Sequence, residues 1–306
     1  LDLAEQTGTA YRLRVQRPEN APLVTVGERY PSVVGRVQTT RHLLLQGYLQ
    51  PHLGAQFDLT QATVSLPDGA LLPNPLLALP TFLTRRHDGW LATIHGDLNL
   101  RNILIDPDAR TAHIIDCAAA RQDHVLHDLL RLERDLLTDL AAQTLFAANL
   151  PPTAIVRFYR MLHCACRGES HEPGRFALPS DLEPALEKLF IVIATLRQAA
   201  RERLAVAGGW AEYYTGLVIH LLGALKYRDL DQAAPGRQPK AIAFWAAATL
   251  VGLLQDLEKR DEGFCHTIQW RPFDIKATNG RAASAQAEPV TSTEQSYTVD
   301  PSLSLE

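Results

Sequence analysis

The chain has 306 residues, is 46% hydrophobic and 21% charged, and carries a formal net charge of −4. That length and apolar content bury one large core or two modest ones. The acidic balance, with no basic stripe, excludes the electrostatic footprint of a nucleic-acid binder. Four cysteines in so long a chain exclude a disulfide framework, so a reducing, cytoplasmic setting is the expectation. No signal peptide opens the chain at Leu1-Asp2-Leu3, and the longest apolar run, Ala241 to Leu254, is shorter than a membrane span. The chain begins without Met and its one methionine is Met161, which reads as a fragment or a processed product.

Tyr11 to Val15 and Leu23 to Val26 read as short strands joined by the turn residues Arg17-Pro18-Glu19-Asn20. Val33 to Leu49 has helical spacing. Ala62 to Leu66 alternates like a strand before the Pro67-Asp68-Gly69 turn, and Leu76 to Leu83 predicts a short helix broken by Pro80. Ile103 to Ile105 and His113 to Ile115 predict a two-stranded ribbon, with Asp106-Pro107-Asp108 as its turn. Beyond it the chain turns helical: His127 to Asn149, Ala154 to Arg167, and a helix running to about Leu204 that opens with the capping box Ser180-Asp181-Leu182-Glu183. Trp210 to Tyr227 and Lys240 to Arg260 predict a last helical pair whose aromatics, Trp210, Tyr213, Tyr214, Phe244 and Trp245, fill the core. From Gly263 the pattern fails, and residues 263–306 read as a disordered tail or linker after a domain at 1–262.

The chemistry concentrates in Ile94-His95-Gly96-Asp97-Leu98-Asn99-Leu100-Arg101-Asn102, which feeds the ribbon, and in Ile114-Ile115-Asp116, which leaves it. If the strands pair antiparallel, Asn102 and Asp116 flank the open end, with side chains roughly 5 Å apart. Asp97 sits on the entering loop. One or two carboxylates and an amide suit Mg²⁺, with substrate phosphates completing the shell.

This segment resembles the catalytic loop and metal-binding segment of the protein-kinase-like superfamily, and within it the aminoglycoside-phosphotransferase-like branch. His95-Gly96-Asp97 matches that branch's His-Gly-Asp, Asn102 its Asn and Asp116 its metal-binding Asp, with Cys117-Ala118 in place of the usual aromatic and small pair. Asp128-Leu129 resembles the buried Asp that steadies the loop. Leu72-Pro73-Asn74-Pro75-Leu76 adds a likeness to bacterial kinase-like modules of multi-component conflict systems, the ternary complex associated domains. The resemblance implies an α+β, protein-kinase-like fold of which this chain supplies mainly the helical C-terminal lobe. It implies Mg²⁺ and ATP as cofactors, Asp97 as the catalytic group, and Asn102 and Asp116 as metal ligands. The reaction implied is transfer of the γ-phosphoryl group to a hydroxyl acceptor, either a small molecule or a protein.

A working enzyme of this kind also needs a lysine and a glycine-rich cover over the nucleotide phosphates. The first lysine is Lys188, and no G-x-G-x-x-G precedes Asp97. The N-terminal lobe is therefore expected to be truncated or degenerate, with truncation favoured by the missing Met. Arg12, Arg14 or Arg29 are substitutes for the lysine, although an arginine does not replace a lysine at a tightly packed site. The same absence supports the competing reading, a kinase-like scaffold without catalysis among protein partners. Asn99 and Arg101 read equally as phosphate contacts or as a solvated loop face. Two other metal readings are weak. His163, Cys164, Cys166 and His171 resemble zinc ligands only in composition, because helix positions two apart face different ways. The His127-Asp128 pair of HD-type phosphohydrolases needs further ligands on neighbouring helices.

Overall fold

The computed structural model describes residues 23–26, 45–53, 57–84, 87–109, 111–167, 175–234, 236–259 and 263–274. The expected strand at Tyr11 to Val15, its turn, and Arg12, Arg14 and Arg29 lie outside them, as does most of the helix expected over Val33 to Leu49, whose described part is α1 at 45–53.

The architecture is α+β: small sheets on a largely helical body. Strand β1 (Leu23–Val26) pairs antiparallel with β4 (His87–Ile94), which pairs on its other edge with β7 (Arg121–His124). Between them β2 (Thr63–Ser65) and β3 (Leu71–Pro73) form a hairpin. Its turn requires Gly69, whose φ of +85° is left-handed backbone that glycine adopts without a Cβ penalty. Asn74, 1% exposed, ties this hairpin to the next helix. Its amide donates to the Leu59 and Gln61 carbonyls at 2.8 and 3.0 Å, while its oxygen caps Leu76 N–H.

Helix α2 (Pro75–Thr84) corrects one expectation, because it continues through Pro80. An interior proline removes one ladder hydrogen bond. Leu76, Leu79 and Phe82, spaced to share one face, are buried in the core and hold the helix together across it.

After the ribbon of β5 (Ile103–Asp106) and β6 (Thr111–Ile114), the chain enters α3 (His127–Asp135), a π-helical turn at Leu136–Ala141 and α4 (Ala142–Ala147). Then follow α5 (Ala154–Arg167), α6 (Glu187–Arg201), α7 (Trp210–Ala224) and α8 (Pro239–Lys259). All five expected aromatics of α7 and α8 are buried. Helix α8 outruns the apolar stretch noted in the sequence: Pro239–Leu257 is long and apolar enough to cross a membrane, yet 78% of its most apolar window is buried inside the molecule, as befits a central core helix.

A buried ion pair crosses the body. Arg197 on α6 and Glu133 on α3 are both 0% exposed, and Arg197 Nη2 donates to Glu133 Oε1 at 2.7 Å. The hydroxyls of Tyr159 and Tyr213 also donate to the Glu133 carboxylate, at 2.7 and 2.5 Å. One guanidinium and two phenols thus compensate a carboxylate where unpaired charge would be very costly.

Two further expectations are corrected. The Ser180-Asp181-Leu182-Glu183 capping box does not open a helix. Glu183 precedes Pro184 and is extended at ψ 125°, a 3-10 turn follows at Pro184–Leu186, and α6 starts at Glu187. The patternless region after Gly263 begins with structure: α9 (Gly263–Thr267) and β9 (Trp270–Asp274), which pairs antiparallel with β8 (Arg175–Pro179). A disulfide from Cys164 to Cys265 joins α9 to α5.

Candidate functional site

Strand β4 ends by delivering His95 into a tight loop. Gly96 there has φ +82°, and a Cβ at that position would collide with the Ala119 carbonyl and the Arg121 guanidinium. Only glycine fits both the backbone and the space. Arg121 Nη1 donates to the Gly96 carbonyl at 3.3 Å. The first turn of α3 braces the loop from beneath, where Asp128 accepts the backbone N–H groups of His95 and Gly96 at 2.6 and 3.0 Å. His95, fully buried, locks the loop to the ribbon. Its Nδ1 accepts Asp97 N–H at 3.3 Å, which makes Nε2 the donor to the Ile115 carbonyl at 2.8 Å. Both nitrogens are thus committed to structure.

Asp97 projects from this braced loop with its side chain 40% exposed, and Arg131 on α3 ion-pairs with its Oδ1. Oδ2 takes no hydrogen bond from the described residues. The Asp97 carbonyl collects the side-chain amides of Asn99 and Asn102, each at 3.0 Å. Asn99 also caps the 3-10 turn Leu100–Asn102 through Arg101 N–H at 2.9 Å. Its side chain is therefore spent on the loop, whereas Arg101 is exposed.

The ribbon pairs Ile103 with Ile114, and Ile115 N–H donates to the Asn102 carbonyl at 3.0 Å. Ile115 therefore stands opposite Asn102, where the sequence suggested Asp116. Asp116 lies one residue farther, in left-handed conformation at φ 60° and ψ 55°, a region that Asp tolerates better than most residues. The bend turns the chain from β6 into the 3-10 turn Cys117–Ala119. At the far end of the ribbon, Asp106 Oδ1 accepts Asp108 and Ala109 N–H, the turn chemistry expected there.

The donor chemistry fits Mg²⁺. Asn102 spends its amide nitrogen on the Asp97 carbonyl and retains its oxygen as a ligand, and Asp116 is exposed with its side chain making no capping bond. Two hard oxygens with nucleotide phosphates and water make up the shell this ion takes. Among the described residues, no group of three His, Cys, Asp or Glu side chains could hold a metal by itself.

A cleft of about 470 Å³ opens between Asn99–Arg101 of the loop, α3 and the segment joining α7 to α8. Arg131, the ion-pair partner of Asp97, lines it, whereas Asp97, Asn102 and Asp116 themselves are not among its lining residues. Arg131, Asp135 and Thr138 reach it from one face of the helical stretch at spacings of four and three residues.

The family model of ternary complex associated domain 9 matches residues 3–240. The chain belongs to this family. No curated protein and no solved structure matches it. The ternary complex associated domain 9 region spans the whole site, from the loop through α3 to the rim of the cleft, and ends just inside α8.

His171 lies outside the described residues, and among those described the two alternative metal readings find no cluster. Cys164 is consumed by the disulfide to Cys265, and His163 Nδ1 pairs with the Tyr214 hydroxyl at 2.7 Å. His127 stacks edge-on against His220, with ring centroids 5.2 Å apart, and burial holds its pKa below the ordinary value. Sequence reasoning missed Arg131 and Arg121. Arg131 had a readable signal, lying three residues after Asp128 on the same helical face. Arg121 had none, because its partner Gly96 is reached only through the pairing of β4 with β7.

Proposed function

We propose that this ternary complex associated domain 9 protein is a kinase-like, Mg²⁺-dependent phosphotransferase that moves the γ-phosphoryl group of ATP to a hydroxyl acceptor. The observation that carries the reading is Asp97: an exposed carboxylate on a loop held from four directions, with Arg131 on one oxygen and the other unengaged by the protein. Such preorganisation suits a group that must orient one reactant.

In this mechanism the acceptor hydroxyl hydrogen-bonds to Asp97 Oδ2 and its oxygen attacks the γ-phosphorus. The bond from that phosphorus to the bridging oxygen breaks, and ADP departs with the electron pair. The hydroxyl proton passes to Asp97, which returns it to solvent. Arg131 keeps the carboxylate aimed, and Asp128 keeps the loop from relaxing. Bound by Asn102 and Asp116, Mg²⁺ supplies neutralisation of the phosphate charge.

Asp97→Asn tests this directly. ADP release from Mg-ATP with hydroxyl acceptors present should fall by about 10²–10⁴-fold, the range for losing a general base, while calorimetric binding of Mg-ATP persists. Unchanged turnover would remove Asp97 from the mechanism.

A second reading, a non-catalytic scaffold in a multi-protein assembly, has its own support. No lysine precedes Lys188, and the family is described as associated with a ternary complex. Failure to bind Mg-ATP at millimolar nucleotide would select it.

A further inference from the structure

We infer that the acceptor of this site carries an oxyanion, a phosphate or a carboxylate, next to the hydroxyl that reacts, and that Arg101, Arg131 and Arg237 bind it. The inference rests on the phosphotransferase reading for the word acceptor, but the cleft itself is visible without it.

Four arginines line the cleft: Arg101, Arg131, Arg134 and Arg237. Their partners separate them. Arg134 is saturated, donating Nε to Asp135 at 2.8 Å and lying near the Tyr227 hydroxyl. The other three are less engaged. Among the described residues, the side chains of Arg101 and Arg237 take part in no hydrogen bond or ion pair, and Arg131 has Asp97 alone. The Nε–H groups of Arg131 and Arg237 are moreover shielded from solvent with no acceptor. Two such orphaned donors on residues that line one cleft are unusual, because buried polar groups are nearly always satisfied. A guanidinium held short of its bonds gains by turning onto an anion, which it grips through two parallel N–H groups.

Three carboxylates share the cleft and, with Asp97, balance the formal charge of its four arginines, but none of them takes up the two orphaned Nε–H groups. Asp135 is occupied by Arg134, and burial raises its pKa above the ordinary value despite that partner. Asp139 accepts the Gln143 amide at 2.6 Å. Asp229 remains, on the outer 3-10 turn. A neutral or cationic acceptor would leave the Nε–H groups of Arg131 and Arg237 without a partner. An anionic one supplies that partner while Arg131 keeps its ion pair with Asp97.

Three probes with the same carbon skeleton separate the possibilities: glycerol, glycerate and glycerol 3-phosphate. Each is titrated into the full chain, following the arginine Nε–H resonances and the melting temperature. The expected result is a saturable shift of the Arg131 and Arg237 signals with one or both anions and none with glycerol. Whichever anion binds more tightly identifies the group. Arg237→Gln and Arg101→Gln, both verified as folded by melting, should each weaken that binding at least about tenfold, in keeping with the loss of a charged hydrogen bond. Equal response to glycerol, no response to either anion, or undiminished affinity in both variants overturns the inference. Turnover distinguishes the two layers. Anion binding without transfer from Mg-ATP leaves the oxyanion cleft standing and defeats the phosphotransferase reading. Transfer confined to neutral acceptors does the reverse.

Discussion

Two carboxylates on the same helix, Asp128 in the first turn of α3 and Glu133 in its last, are satisfied by opposite means. Asp128 is half-buried and accepts two backbone N–H groups from a loop on the surface. Glu133 is wholly buried and accepts a guanidinium and two phenols from α5, α6 and α7. One end of the helix thus secures a surface loop with a few directional bonds, and the other anchors in a core where every partner is a side chain. The difference shows where the fold places its stability. The body is over-determined, whereas the loop is positioned by a small number of replaceable hydrogen bonds.

Breaking the core end should have the largest effect. Glu133→Ala should destabilise the protein by about 3–5 kcal/mol in denaturant unfolding, because it strands Arg197 as an uncompensated buried charge. Adding Arg197→Met should recover much of that loss, and no recovery would mean that the tyrosines, not the charge, carry the cost.

Acid should also act on the body. Burial drives the His163 pKa down to about 3 from its ordinary 6.5. The unfolded chain therefore binds a proton that the folded one refuses between those values. This contribution is intact above pH 6.5 and is lost as pH falls toward 3, at about 1.4 kcal/mol per unit. Melting curves between pH 7 and 4.5 should show the slope, and His163→Gln should flatten it.

At the other end, Asp128→Ala should cost about 1–3 kcal/mol, the price of leaving two loop donors unpaired. Its signature is local: the His95 and Gly96 amides should exchange with solvent far faster while amides of α7 and α8 do not change. The smallest effect belongs to the outer ribbon. Ile105 is 73% exposed, and Ile105→Thr should shift stability by no more than about 0.5 kcal/mol.

Much of this was legible in the residues because the signals are local. The helix at Ala154–Arg167 has the expected bounds, β1 coincides with Leu23–Val26, the ribbon forms with strands at Ile103–Asp106 and Thr111–Ile114 that overlap the expected ones, and the aromatics of α7 and α8 are buried as expected. What could not be read depends on distant partners. The burial that carries α2 through Pro80, the pairing of β8 with β9, and the Cys164–Cys265 bond join residues whose sequence neighbourhoods hold no trace of one another. The capping box at Ser180 is the reverse case: a local signal defeated by another local rule, the restriction Pro184 imposes on Glu183.

By itself the sequence determined the kinds of element present and the residues able to do chemistry, because hydrophobic period, turn residues and side-chain functional groups are properties of short segments. Only the tertiary structure decided that Asp97 meets Arg131, that Asp128 receives the loop's amides, and that four arginines line one cleft next to that loop. These are outcomes of how a helix docks against a loop, and docking is governed by the shape and burial of surfaces that are contiguous in space but not along the chain.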